Sequence, residues 1–422
     1  MDVAFYALLT WYFDNVIPDE FGQCRPPWFF LTPAYWGITA CRARGDDPLG
    51  TYAYPPKEAD EDDDVYAERQ AACDGERSGD AAIRLVNLRK VYNDGLLTAK
   101  RHRKVAVHGS SWTLREGRLL ALLGQNGAGK STTMNMLCGF TKASAGNAFM
   151  YGRPINTHME ELRGMMGVCP QHDILFNDLT AMEHIRLYCG IKNIAPEAIP
   201  VLARERLEAV RLWKVRDRKA GTYSGGMKRR LSVAISTIGD PKIVFMDEPT
   251  TGMDPLNRRH VWAFIEKFKR GRVIVLTTHS MEEADILGDQ IAIMALGKLR
   301  AIGAPIRLKS KYGAGYRVSL VCREPDVPAV KADVLARLPA LQLEDDSAGA
   351  LIFQVPAAAI GELPDLVKYL DGGGNGLVRE WGISQTTLED VFLRIIREIN
   401  PTANVAELRR LQSDGAATAD AE

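Results

Sequence analysis

Nine consecutive residues, Gly124, Gln125, Asn126, Gly127, Ala128, Gly129, Lys130, Ser131 and Thr132, have the form G-x-x-x-x-G-K-S/T. The glycines let the backbone curl so that successive N–H groups point inward and make an anion-binding nest. An apolar run, Leu119–Leu123, precedes the loop, and a helix-like segment, Thr132–Cys138, follows it. That strand–loop–helix context suits a nucleoside triphosphate, with the positive end of the helix adding attraction. Lys130 is expected to reach the β- and γ-phosphates, and the Ser131 hydroxyl to be a ligand for Mg²⁺.

Further along, the apolar strand Ile243–Met246 ends in two carboxylates, Asp247 and Glu248. Asp247 suits Mg²⁺ beside Ser131, and Glu248 is placed to polarise an attacking water. Another buried strand, Val273–Leu276, runs into Thr277-Thr278-His279-Ser280, where a neutral imidazole can donate to the terminal phosphate. Gln171, in Val168-Cys-Pro-Gln171, carries an amide suited to Mg²⁺ or water and stands where a helical stretch begins. Ser224-Gly225-Gly226-Met227 opens a helix with a good N-cap and bare N–H groups, a second anion-binding end. Lys228, Arg229 and Arg230 then sit in the first turn, where the helix dipole disfavours cations unless an anion arrives.

These residues need a scaffold. Ile83–Leu88, Val105–Leu114, Leu119–Leu123, Ile243–Met246, Val273–Thr278 and Ile291–Ala295 are short runs, apolar on both faces, that predict a buried and largely parallel sheet. Residues 172–235 read as a helical insertion, with helices at Ala181–Tyr188 and Ala203–Trp213. The expected α/β core covers 82–305. After it, 306–400 reads β-α-β-α-β, with an extra strand near 341–345, which predicts a small ferredoxin-like domain. An aromatic segment occupies 1–44, an acidic run within 45–81 reads as a flexible linker, and the Ala/Asp-rich 401–422 as a disordered tail.

Composition narrows the alternatives. The chain has 422 residues, enough for two or three domains, and its formal net charge is zero, so no overall field draws it to nucleic acid. The basic run Lys100–Lys104 reads as a solvated hairpin tip, and no nucleic-acid partner is expected. Seven scattered cysteines with no C-x-x-C pair argue against a disulfide or zinc framework. The apolar stretch Val3–Phe13 is too short for a bilayer, which takes about 20 residues.

The ordered set Gly124–Thr132, Gln171, Ser224–Gly226, Asp247-Glu248 and His279 resembles the ATP-binding cassette of ABC transporters, a P-loop NTPase fold. The resemblance implies ATP and Mg²⁺ as cofactors, a D-loop at Asp254 within Gly252–Pro255, and Tyr92 stacking on adenine. It also implies that Ser224–Met227 act on the nucleotide of a second cassette, and that membrane domains absent from this chain tie it to the cytoplasmic face of a membrane. The Tyr-Ser-Gly-Gly-Met signature, the segments Trp11–Gly22 and Pro26–Phe30, and the ending Ile383–Phe392 are similar to the A subfamily, whose members move lipids and related amphiphiles and whose C-terminal domain is regulatory. Members of that subfamily carry membrane helices and two cassettes in one polypeptide. With one cassette here, and residues 1–13 like the cytoplasmic end of a final helix, the expectation is a fragment or truncated gene model. The rival readings are a soluble ATPase of the same kind acting on a macromolecular partner, and a non-catalytic nucleotide-binding regulator; Glu248 and His279 speak against the latter.

Overall fold

The computed structural model describes residues 2–16, 29–31, 56–58, 60–75, 79–94, 102–313, 315–347, 349–372 and 376–399. The tail at 401–422, most of the aromatic segment, and Lys100 and Arg101 of the basic run lie outside them. The chain divides into two units, 1–47 and 48–422. The first contains helix α1 (Asp2–Val16), whose Trp11 and Tyr12 pack on Phe29 at ring-centroid separations of 5.1 and 6.1 Å. Among the described residues no helix is long and apolar enough to cross a membrane.

The second unit opens with α2 (Asp63–Cys73). The acidic run, expected as a solvated linker, instead starts this helix and is ion-paired along its length. Glu58 meets Lys298 at 2.6 Å, Asp60 meets Arg300 at 2.7 Å, Asp62 meets Lys311 at 2.7 Å and Asp64 meets Arg307 at 2.6 Å. Asp62 also caps α2 by accepting from the Asp64 amide at 2.8 Å. Acidic residues in a first turn complement the helix dipole, and opposite charges on the surface below fix the remainder.

Two sheets follow. Strands β1 (Ala81–Asp94) and β2 (His102–Arg115) pair antiparallel, with β4 (Ala145–Met150) and β5 (Arg153–Pro154) added in the order β2-β1-β4-β5. The other sheet has the order β10-β9-β3-β8-β7-β6. Its strands are β3 (Leu119–Gly124), β6 (Met166–Cys169), β7 (Ile243–Asp247), β8 (Val273–Thr278), β9 (Gln290–Ala295) and β10 (Lys298–Gly303). All neighbours in it are parallel except β9 and β10. The expectation of a single, largely parallel sheet is thus corrected for Ile83–Leu88 and Val105–Leu114, which lie in the other, antiparallel one. The stretch joining β1 to β2 is too short for the crossover that parallel pairing needs, so they form a hairpin.

The parallel strands are apolar throughout because they face two cores. Leu119, Ala121 and Leu123 point into one, and Leu120 and Leu122 into the other; Ile274 and Leu276 oppose Val273 and Val275 in the same way. Around them lie α3 (Lys130–Leu137), α4 (Ile155–Met165), α8 (Pro255–Phe268) and α9 (Met281–Leu287). The helical insertion supplies α5 (Ala181–Ile191), α6 (Ile199–Ala209) and α7 (Gly225–Ser236). The expected helix to Trp213 stops earlier, since Arg211 turns to φ +59°.

Beyond α10 (Pro305–Tyr312), the order is β11 (Tyr316–Cys322), α11 (Val327–Arg337), β12 (Gln342–Ser347), β13 (Ala350–Val355), α12 (Leu363–Asp371), β14 (Val378–Gln385) and α13 (Leu388–Ile399). The four strands make one antiparallel sheet, β12-β13-β11-β14, with its own core of Val318, Leu320, Val330, Phe353 and Leu366. Helix α13 does not join that core. Its Leu388, Val391, Phe392 and Ile395 are buried with Ala284, Leu287 and Leu308 in a core against the six-stranded sheet.

Candidate active site

Register in the parallel sheet gathers the chemistry at one edge. Leu123 of β3 pairs with Thr278 of β8, Thr277 of β8 with Asp247 of β7, and Met246 of β7 with Cys169 of β6. The residues that leave the carboxyl ends of these strands are therefore neighbours: the Gly124 loop, His279, Glu248 and Gln171. Ligands of open α/β sheets bind outside those strand ends.

A cleft of about 590 Å³ lies there. It is lined by Tyr92, Lys104, Val105, Ala106, Asn126, Gly127, Ala128, Gly129, Lys130, Ser131, Thr132, Gln171, Glu248, Leu296 and Gly297. Gly129 has φ +100°, and a side chain there would put its Cβ 2.7 Å from the Ala106 carbonyl; at Gly124 it would be 2.5 Å from the Met294 carbonyl. Neighbouring backbone leaves no room for a side chain at these two positions, whereas Gly127 has open space but takes φ +78°. Lys130 is buried, and its Nζ donates to the carbonyls of Gly124 at 2.6 Å and Gln125 at 3.2 Å. Burial lowers its pKa, while Glu248 and Asp247 oppose the shift.

Asp247 sits behind the cleft. Its Oδ1 is 3.5 Å from Ser131 Oγ and also accepts from the Thr277 hydroxyl. Glu248 is held at φ +50°, a left-handed conformation uncommon for a non-glycine residue, by its amide donating to the Thr277 carbonyl at 3.0 Å. Its Oε1 lies 3.5 Å from His279 Nδ1, and its Oε2 accepts from Thr251 Oγ1 at 3.2 Å. The His279 contact is the main reason the carboxyl pKa falls below its usual value, with burial opposing and Lys130 assisting. The structure places His279 against Glu248, and it is not among the residues that line the cleft.

ATP and Mg²⁺ fit these residues. The nest offers backbone N–H groups to a triphosphate, and Asn126 to Thr132 all line the cleft. The set near Ser131 (a hydroxyl, the Asp247 carboxylate and the Gln171 amide) offers hard oxygen ligands, which suits Mg²⁺ shared with phosphate oxygens and water. No group of three or more His, Cys, Asp or Glu positioned to hold a metal occurs among the described residues.

Other expected site residues lie elsewhere. Ser224, Gly225, Gly226 and Met227 are outside the cleft lining, with Ser224 and Gly225 exposed and the Ser224 side chain making no cap bond. Asp254 caps α8, accepting from the Asn257 amide at 3.1 Å. The basic first turn of α7 does not stand waiting for an anion, as its sequence suggests. Two of its three cations are buried on carbonyls: Arg230 donates to Val210 at 3.1 Å and Gly226 at 3.2 Å, and Arg229 grips two loops at once. Lys104 and Leu296-Gly297 are cleft walls that sequence reasoning missed. Tyr92 and Lys104 are cross-strand partners, and this is hidden in a run that reads as a charged hairpin tip. Glu283 is fully buried, accepting from Thr250 Oγ1 at 2.8 Å and Trp262 Nε1 at 3.1 Å, with its pKa raised by burial.

With this geometry in place, comparison with known proteins is direct. Residues 107–251 match the ABC transporter family. ABC transporter A family member 1 of Dictyostelium discoideum is 39% identical over 93% of this chain and 44% of its own length. ABC transporter A family member 9 of Arabidopsis thaliana is 40% identical over 93% of this chain and 43% of its own. The phospholipid-transporting ATPase ABCA3 of Mus musculus is 35% identical over 97% of this chain and 23% of its own. The chain thus spans less than half the length of these relatives. A solved dimeric ATP-binding cassette in a post-hydrolysis state with ADP and Pi overlaps 53% of this chain and 98% of its own, at 23% identity and a TM-score of 0.49. Residues 107–251 thus carry the domain of the ABC transporter family, and almost the whole chain is similar to members of its A family.

Proposed function

We propose that this chain hydrolyses ATP in a site completed by a second cassette and delivers the work to membrane domains that move a lipid or related amphiphile. The observation that carries the reading is the separation of two anion-binding ends. One, at α3, opens into the cleft beside Glu248; the other, at α7, is exposed and outside it. Phosphoryl transfer needs fixed donors around the departing group and water kept away. A cleft open on one face supplies only part of that, and Ser224–Met227 of a partner cassette supply the remainder.

Chemistry proceeds by in-line attack of water on the γ-phosphorus, with no covalent intermediate. Glu248, kept ionised by His279, orients the water more than it accepts a full proton, because a carboxylate with a depressed pKa is a weak base. Lys130 moves from its two carbonyls to the phosphate oxygens. Ser131, Gln171 and Asp247 would hold Mg²⁺, which would supply charge neutralisation at the phosphate oxygens. Tyr92 stacks on adenine at the cleft mouth, with Lys104 beside it.

The C-terminal unit is read as a ferredoxin-like regulatory domain; its β-α-β-β-α-β order and strand order support this. The lipid cargo is suggested by the name of the mouse relative. Membrane attachment comes through the partner domains, and 82–305, with 172–235 as its helical part, is proposed as the ATPase domain.

Two measurements test the reading. Turnover per molecule should rise with protein concentration as dimers form; strict proportionality of rate to concentration down to nanomolar levels refutes the shared site. Glu248→Gln should keep Mg·ATP bound while turnover falls by about 10²-fold or more.

A further inference from the structure

We infer that Arg229 is a positioning residue that locks the Gln171 loop and the Glu248 loop to the signature helix, so that all three move as one. Its guanidinium is buried at 4% exposure and spends every donor on backbone or one carboxylate. Nη1 donates to the carbonyls of Pro170 and, at 3.1 Å, Gln171, and to Asp173 Oδ1 at 3.1 Å. Nη2 donates to the carbonyls of Asp247 and, at 2.9 Å, Glu248, while Nε reaches that of Pro249 at 3.3 Å. Five N–H groups in a rigid planar fork can bridge two loops in this way; an ammonium, a point charge with three donors, cannot.

The consequence follows from what the two loops carry. Gln171 and Glu248 both line the cleft. Glu248 is in an unfavourable left-handed conformation that needs its surroundings to hold it, and Arg229 grips the carbonyls on either side of that residue's own amide and beyond. Arg229 itself is the fifth residue of α7, two residues after Met227. A phosphate engaging the N-terminus of α7 thereby pulls on the catalytic loop of its own chain, linking one site to the other. This rests on Glu248 being the residue that orients water.

The test uses the full chain carrying Arg229→Lys, Arg229→Met or Asp173→Asn, with Mg·ATP as the probe. Arg229→Met is expected to bind Mg·ATP within about threefold of wild type but to lose about 10²-fold in kcat, since a displacement of about 1 Å at the reacting centre has that effect. Arg229→Lys, which keeps the charge but not the fork, should fall between the two. Amide exchange should quicken at 170–173 and 247–251 together while α7 stays protected. Asp173→Asn should loosen only 170–173. A normal kcat in Arg229→Lys, unchanged exchange at 247–251, or loss of protection along α7 itself overturns the inference. If Arg229→Met does not fold, the other two variants decide. If the wild type shows no turnover, it is the ATPase reading that fails, and the exchange pattern still decides the role of Arg229.

Discussion

The two helix starts that define this cassette share a sequence signature, glycines followed by cations, yet the fold needs the glycines at only one. At α3 a Cβ on Gly124 or Gly129 would lie 2.5 or 2.7 Å from a backbone carbonyl. At α7 a Cβ on Gly225 meets nothing within 4 Å, and one on Gly226 has only Met253 Cγ at 3.8 Å, an ordinary contact. Lys130, Arg229 and Arg230 all donate to backbone carbonyls, but of the three Lys130 alone lines the cleft. Glycine in a helix is about 1 kcal/mol less favourable than alanine. Where the chain's own packing asks for nothing smaller than alanine, the bare backbone answers to something outside the chain.

That contrast can be broken in stages. Lys130→Met should have the largest effect, lowering turnover by about 10³-fold, because a charged donor to the developing negative charge is lost; kinetics on the purified chain check it. Gly226→Asp is the sharper test. A carboxylate at a helix N-terminus is stabilising by about 0.3–1 kcal/mol, so the melting temperature should hold or rise. Turnover should nevertheless drop by about 10²-fold as the carboxylate repels the partner's phosphate. A lower melting temperature with normal turnover would show that the glycine serves the fold after all. Arg230→Met should leave Mg·ATP affinity intact and destabilise by about 1–3 kcal/mol, the cost of stranding the Val210 carbonyl, read by urea unfolding.

The smallest effect concerns Glu283. Burial raises its pKa, so its protonated form is favoured in the fold. The stability it contributes is complete below the ordinary glutamate range and is lost as pH rises through the raised value. The amide of a Glu283→Gln variant keeps an oxygen to accept the Thr250 and Trp262 bonds and has no proton to lose. The melting temperature of that variant, taken relative to wild type, should therefore climb by on the order of a degree or two as pH increases above the ordinary glutamate range.

Much of the site was legible because each piece announces itself locally. A run apolar on both faces that ends in Gly-x-x-x-x-Gly-Lys, Asp-Glu or Thr-His places a chemical group at a buried strand's exit, and parallel register then aligns the exits. What could not be read depends on distant partners. The acidic run looks solvated because its counter-charges, such as Lys298 opposite Glu58, lie 240 residues away. The first turn of α7 looks like an anion trap because the carbonyls that occupy Arg229 belong to residues 170–171 and 247–249. The contact of His279 with Glu248 emerges only once β7 and β8 lie side by side.

Helix α13 has a consequence for how the protein is made. Until residues 388–399 are made, the core that holds Leu287 and Leu308 lacks the apolar side chains of α13. A premature stop between the cassette's motifs and this helix would spare every catalytic group and still leave that core incomplete.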